Sequence, residues 1–313
     1  MKAMLGQDEC VAVLMGGPGS ERQVSLASGG AVLRALQSAG MQAVAVELTE
    51  AKLELPPGCR LAFNLIHGTY GEDGRLQAEL QRLGCRYTGA GVESSALAFD
   101  KNRAKERFFA AGVPTPLAQT LVLPDPSASD WPRPHLSLPL VVKPPCEGSS
   151  VGVHVVRQEA ELEPALRDAA RYGRTALVES FIKGRELTVA VLDDVALPVV
   201  EIVPRDGFYN MENKYPWLAG GAGSEYHCPA PLSEQATARV QQAALAAHRA
   251  LGVEVYSRVD VLLDDQEQPF VLEVNTLPGM TETSLLPKAA AQAGLGFVEL
   301  CLKIAELSWS LQR

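Results

Sequence analysis

The chain has 313 residues, 47% of them hydrophobic and 21% charged, a globular composition too long for one hydrophobic core, so two or three domains are expected. A formal charge of -9 repels phosphate polyanions at long range, which excludes a general nucleic-acid or acidic-membrane surface and requires any phosphate ligand to be held locally. Six scattered cysteines form no Cys-x-x-Cys pair, and there is no signal-peptide core or run of about 18 apolar residues, so the expectation is a soluble cytoplasmic protein without zinc, disulfides or a membrane partner.

Cys10 to Met15 reads as a short buried strand broken by Gly16-Gly17-Pro18-Gly19, and Ser20 with Gln23 gives a capping-box pattern opening a helix toward Ala39. Gln42 to Leu48 and Leu61 to Ile66 are two more strands. The second ends in His67-Gly-Thr-Tyr-Gly-Glu-Asp-Gly74 and a helix carrying Leu76, Leu80 and Leu83. This alternation predicts a doubly wound parallel sheet, whose ligands sit at the carboxyl ends of strands, where both Gly-rich loops lie. Ser94 to Ala111 reads as one amphipathic helix stopped at Val113-Pro114, with a domain boundary near residue 95.

Pro124 to Pro139, with five prolines, reads as an irregular surface excursion. Leu138 to Lys143, a tight turn at Glu147-Gly-Ser-Ser-Val-Gly152, a returning strand at Val153 to Val156, a helix to about Arg171 and a strand from Ala176 to Phe181 describe a small α+β domain. From Glu186 strands dominate up to an alanine-rich helix from Ser233 to Leu251. The stretch 206–231 between them is either disordered or a lid, and a terminal helix begins near Pro287.

Three places carry chemistry. Lys143 faces the Gly-Ser turn, whose backbone N–H groups can approach phosphate oxygens as in an anion-binding nest, although the sequence is not a Walker motif. Glu179 and Glu186 flank Phe181 and Ile182, acceptors for a nucleotide's amino or hydroxyl groups beside apolar ring contacts; each alone is equally a surface charge or a core side chain. Strands Val253 to Leu263 and Pro269 to Val274 flank a polar turn. If the turn centres on Gln266 and Glu267, Asp260 faces Glu273 and Arg258 faces Asn275. Like charges directly opposite destabilise a hairpin, and a hard divalent cation taking carboxylate and amide oxygens would compensate.

Eight blocks in this order resemble the D-alanine:D-alanine ligases of the ATP-grasp superfamily: Met15 to Ser25, His67 to Gly74, Asp100-Lys101, Lys143 to Gly152, Lys214-Tyr215, Tyr226 to Ala230, Arg258-Val-Asp260 and Glu273 to Thr281. The resemblance implies a three-domain α/β and α+β ATP-grasp fold. Its parts would be an amino-terminal domain at 1–95, a central subdomain at 96–183 and a carboxy-terminal subdomain at 184–313 bearing a metal site and a lid at 206–231. It implies ATP-dependent joining of two D-alanines through an acyl phosphate, for peptidoglycan precursors, in a cytoplasmic homodimer.

Carried onto this chain, Lys101, Lys143, Ser150, Glu179, Phe181, Ile182, Glu186, Lys214 and Asn275 become ATP contacts. Asp260, Glu273 and Asn275 become ligands of two Mg2+ or Mn2+ ions, which neutralise charge in phosphoryl transfer. Arg258 and the Gly279 N–H become oxyanion donors. Glu21, linked to Ser149 and Tyr215, becomes the anchor for the first substrate's ammonium, with His67 beside that substrate and Ser284 at the second substrate's carboxylate. Glu21 taken alone equally complements a helix amino terminus. Departures include Cys146, where many relatives carry a polar residue, and Pro18-Gly19. Two rivals stand: a depsipeptide ligase joining D-alanine to D-lactate, against which the Lys214-Tyr215 pattern argues, and a non-catalytic nucleotide-binding module of the same fold.

Overall fold

A computed structural model describes residues 9–148, 150–205 and 223–313. The first sheet is parallel, with β1 (Cys10–Gly16), β2 (Ala43–Leu48), β3 (Cys59–Asn64) and β4 (Arg86–Tyr87) in the order β2-β1-β3-β4. Every residue of β1 is buried because alternate side chains meet different helices. Val11, Val13 and Met15 pack with Val32, Ala35 and Leu36 of α1 (Arg22–Ser38), and Ala12 and Leu14 pack with Leu76 and Leu80 of α2 (Arg75–Arg82). The capping box expected at Ser20 is not formed. The helix starts one residue later, with Glu21 at the N-cap and no side-chain cap hydrogen bond. Ser25 instead accepts from Gly16 N and donates to Leu65 O, tying both Gly-rich loops to α1.

The single helix expected over Ser94 to Ala111 is two: α3 (Val92–Phe99) and α4 (Lys101–Ala110). Asp100 is extended, and its carboxylate accepts from Asn102 N and Arg103 N, so a strong N-cap restarts the helix there. Lys101 N donates to Pro145 O at 3.0 Å, which places the Lys101 side chain against the Gly-Ser turn.

The second sheet is antiparallel. It contains β5 (Ala118–Val122), β6 (Leu140–Lys143), β7 (His154–Val156) and β8 (Thr175–Ser180) in the order β5-β8-β6-β7. Leu162, Ala165, Leu166 and Ala169 of α5 (Leu162–Ala169) cover it. The proline-rich stretch is more than a surface excursion, because Trp131, 7% exposed, enters this core and Leu123 is buried with it.

The third sheet contains β9 (Gly184–Leu192), β10 (Val195–Ala196), β11 (Val200–Pro204), β12 (Ser224–His227), β13 (Tyr256–Asp264) and β14 (Pro269–Asn275), with the order β12-β11-β9-β13-β14 and β10 paired to β9. Part of the expected lid is therefore strand, since β12 pairs with β11; Lys214, Tyr215 and the rest of 206–222 lie outside the described residues. Helix α6 (Glu234–Ala250) buries Ala236, Val240, Ala243, Ala244 and Ala247 on the sheet, with Ser233 Oγ accepting from Ala236 N as its cap.

The terminal helix is also two, α7 (Leu285–Gln292) and α8 (Phe297–Ser310), bent by 103°. Gly294 takes a left-handed φ of +85°, and Ala293, Gly294 and Leu295 donate back into the last turn of α7, closing it before the bend. Both helices bury apolar faces in one core with β1, α1 and Tyr256, joining the first and third sheets. No single helix among the described residues is long and apolar enough to cross a membrane.

The β13–β14 hairpin pairs Arg258 with Asn275 and Asp260 with Glu273, as the sequence predicts, for a different reason. Near the turn, Leu263 pairs with Pro269 and Val261 with Val271, a register centred on Gln266 alone. A bulge then leaves Leu272 unpaired and shifts the ladder by one, so Leu272 and Glu273 both reach the same half-open side of the sheet.

Candidate active site

Two cavities meet where the three sheets converge, one of about 450 Å3 and one of about 320 Å3, and Lys101, Glu147, Gly148 and Glu273 line both. The smaller lies between the second and third sheets. Its walls are apolar side chains of β6, β7, β9, β11, β13 and β14, including Val141, Val155, Leu187, Ile202, Leu262 and Leu272, together with Phe181 and Ile182. Ser150, Glu186 and Lys143 line it as well, so the sequence-predicted ATP contacts of the described chain, Asn275 excepted, converge here. Ser150 holds a positive φ of 61°, a conformation unusual for a side-chain-bearing residue and typical of tight turns that expose backbone N–H groups.

At the floor of this cavity is a buried cluster. Glu179, 2% exposed, takes Lys105 Nζ at 2.6 Å on one oxygen and Lys143 Nζ at 2.7 Å on the other. Burial raises the Glu179 carboxyl, and the two ammonium groups outweigh it and hold the group at about 2. Burial lowers the Lys105 ammonium, with Glu179 pulling it upward and Lys143 downward, and the net direction is down. Lys105 and Thr115 hydrogen-bond, and Thr115 Oγ1 donates to Val271 O at 2.7 Å, fixing the cluster to β14. The sequence reading gave Glu179 a direct nucleotide contact. Glu179 lines the cavity, and each of its oxygens, with one lysine beside it, keeps acceptor capacity, so it holds Lys143 at the floor while still facing the space a nucleotide would fill.

Along the shared wall, the two hairpin carboxylates have protein partners. Arg258 donates to both oxygens of Asp260, at 2.9 and 2.7 Å, and Thr188, opposite Asp260 on β9, donates to it at 2.7 Å. Lys101 Nζ donates to Glu147 O at 2.7 Å and sits 3.1 Å from Glu273. Burial lowers the Lys101 pKa, and Glu273 more than offsets it. The like-charge repulsion expected from the sequence is thus relieved by Arg258 and Lys101. No group of three His, Cys, Asp or Glu is gathered among the described residues. The donor set that remains, two carboxylates and the Asn275 amide on one side of the hairpin, is all oxygen and suits Mg2+ or Mn2+.

The larger cavity gathers Glu21, His67, Arg258, Asn275, Gly279 and Ser284. Glu21 makes no cap bond to its own helix. A Cβ added at Gly68 or Gly148 would stand 3.1 or 3.4 Å from its Oε2, so the carboxylate lies between the two loops rather than over a helix end. Asn275 Oδ1 accepts from Leu277 N at 2.8 Å, shaping the exit turn. A Cβ at Gly279 would meet Ser284 Oγ at 3.1 Å, and that hydroxyl accepts from Thr281 N at 3.0 Å at the start of α7. His67 is buried, with Nδ1 3.0 Å from Leu277 O and Nε2 3.3 Å from Ser28 Oγ. Burial lowers its pKa, while Glu72, Glu21 and the Leu277 carbonyl raise it, and the net direction is up.

Ser149 and Tyr215 lie outside the described residues, as does Lys214. Several lining residues were not singled out from sequence. Lys105, which lies behind Glu179 rather than in the lining, was legible only as one turn beyond Lys101 on α4. Arg157, stacked 5.2 Å from the Phe181 ring, and Lys288, one turn beyond Ser284, carried no local motif.

Comparison with known proteins gives one consistent answer. The family model described as D-ala D-ala ligase C-terminus matches residues 123–306. A D-alanine–D-alanine ligase of Methylacidiphilum infernorum is 44% identical over 299 residues, covering 96% of this chain and 95% of that one. One from Geobacter sulfurreducens is 47% identical over 300 residues, covering 94% and 92%. The crystal structure of D-alanine–D-alanine ligase from Bacillus anthracis complexed with ATP superposes with a TM-score of 0.83 at 33% identity, covering 96% of this chain and 97% of that one. With a family match over more than half its length and relatives of this identity along nearly all of it, the chain belongs to the D-alanine–D-alanine ligase family and has the ATP-grasp fold.

Proposed function

We propose that this protein uses ATP to join two D-alanines into D-alanyl-D-alanine through an acyl phosphate, supplying peptidoglycan precursors. The observation that carries this reading is the junction of the two cavities at Lys101, Glu147, Gly148 and Glu273, which lets a phosphoryl donor in the smaller meet a carboxylate in the larger. Phe181, Ile182 and the aliphatic wall take the adenine, Glu186 the ribose, and Lys101, Lys143, Ser150 and Lys214 the phosphates, with Glu179 securing Lys143 from below. Asp260, Glu273 and Asn275 hold two Mg2+ or Mn2+ ions, whose contribution when bound is to neutralise the triphosphate and the charge developing in transfer.

Glu21 anchors the first D-alanine's ammonium, with Ser149 and Tyr215 linked to it, and the substrate carboxylate oxygen attacks the γ-phosphorus as ADP departs. The second D-alanine, its carboxylate at Ser284, attacks the acyl carbon with its amine. Arg258 and the Gly279 N–H hold the tetrahedral oxyanion, which then collapses with loss of phosphate and of the amine proton. Three domains bounded near residues 95 and 183, closure by the 206–231 segment, homodimerisation and a cytoplasmic location complete the reading. Incubation with ATP, Mg2+ and D-alanine should release phosphate and dipeptide in equal amounts. Product formed only when D-lactate accompanies D-alanine would establish the depsipeptide activity instead, and nucleotide binding without product would establish a binding module.

A further inference from the structure

Ser28 is a fully buried serine inside α1, where an alanine would favour the helix more. Buried helical serines commonly return their hydroxyl to their own helix, as Ser308 does to Ile304 O. Ser28 does otherwise. Its oxygen is 3.2 Å from Met280 N, an N–H donor, and 3.3 Å from His67 Nε2, while His67 Nδ1 is 3.0 Å from Leu277 O. Leu277 and Met280 bracket Pro278-Gly279, the turn assigned above to the oxyanion donor.

The donor inventory allows one complete arrangement. A carbonyl only accepts, so His67 Nδ1 carries a hydrogen and donates to Leu277 O. Met280 N–H donates to Ser28 Oγ, and the Ser28 hydroxyl hydrogen goes to His67 Nε2. A cationic ring would also donate from Nε2, leaving the Ser28 hydrogen with no acceptor among the described hydrogen bonds at a site closed to water. The hydrogen-bond geometry favours the neutral ring against the upward pull of Glu72.

We propose that Ser28 and His67 are positioning residues. Together they form a buried relay that pins both ends of the turn Leu277-Pro278-Gly279-Met280 to α1 and to the loop that follows β3, and so aims the Gly279 N–H. This rests on the ligase reading for its catalytic consequence, though not for the relay itself. His67, whose two ring nitrogens are both engaged, then acts on the reaction through the turn as well as lining the larger cavity.

The test pairs a readout free of substrate with one in the full reaction. Long-range 15N–1H NMR of the imidazoles in the intact protein should find His67 as the neutral Nδ1–H tautomer, with its Nε2 resonance displaced in Ser28→Ala; a cationic ring or an Nε2–H tautomer overturns the relay even if the chain ligates nothing. In the ligation assay, Ser28→Ala should lower kcat by about 10²-fold, the scale of a small misplacement at a reacting centre. The KM for ATP should be unchanged and the melting temperature close to that of the parent. Ser28→Cys, which keeps a weak donor and acceptor, should recover part of the loss. A parental kcat in Ser28→Ala overturns the proposal. A common fall in kcat and melting temperature with no recovery in Ser28→Cys also overturns it, by showing a packing role alone. If the parent protein makes no dipeptide while the tautomer is as stated, it is the ligase reading that fails.

Discussion

The two cavities are built differently. The smaller is walled by paired strands of two sheets, and at its floor Glu179 and Lys143 are locked together with the buried Lys105 behind them. The larger is assembled from a helix start, the Gly-rich loops and the exit turn of β14, and is held by hydrogen bonds between segments far apart in sequence, such as His67 to Leu277. Rigid strands suit a site that grips one nucleotide, and adjustable loops suit one that must accept two small substrates and a tetrahedral intermediate in turn. Glu273 belongs to both, because the bulge at Leu272 turns it into the junction.

This contrast predicts where each kind of change will register. The largest effect should come at the junction. Glu273→Gln keeps the shape and removes the carboxylate proposed to hold metal and the partner of Lys101, so kcat should fall by about 10³-fold or more, read by phosphate release. Turnover near that of the parent would break the assignment of Glu273. Next is Arg258→Ala on the larger cavity's side, expected to cost about 10²–10³-fold in kcat with little change in ATP affinity, as for loss of an oxyanion donor. A matching loss of nucleotide affinity would place Arg258 with the other cavity.

The buried cluster should appear in stability rather than in chemistry. Glu179 has a folded pKa well below its unfolded value near 4.5, so its contribution is fully present above that value and fades as the pH falls toward about 2. Denaturant unfolding across that window should show the decline, and Glu179→Gln should flatten it; an unchanged slope would mean the cluster does not hold the floor of the cavity. Smallest should be Phe181→Ala, which removes one wall of the apolar cleft and the ring under Arg157. It should raise the KM for ATP about tenfold, on the scale of a lost aromatic contact, and leave kcat near that of the parent.

The same contrast explains what the sequence disclosed. Strand-borne residues were legible because alternation and turn chemistry constrain them locally, as with Arg258 facing Asn275. Even there, the register was reached through a bulge that no residue pattern announced. Loop-borne relationships were legible only where a family motif named them, and the Ser28–His67 connection, which spans three segments, had no local signature. Helix breaks at Asp100 and Gly294 were missed for opposite reasons: one was hidden within a continuous amphipathic pattern, the other in an apolar run that a left-handed glycine terminates.

The junction's central role is tested most directly by following oxygen. With D-alanine labelled with 18O in its carboxylate, together with ATP and Mg2+, transfer through an acyl phosphate places label from the first substrate in the released phosphate as dipeptide forms, read by mass spectrometry. Dipeptide accompanied by unlabelled phosphate would mean that no acyl phosphate forms where the two cavities meet, and would contradict the account.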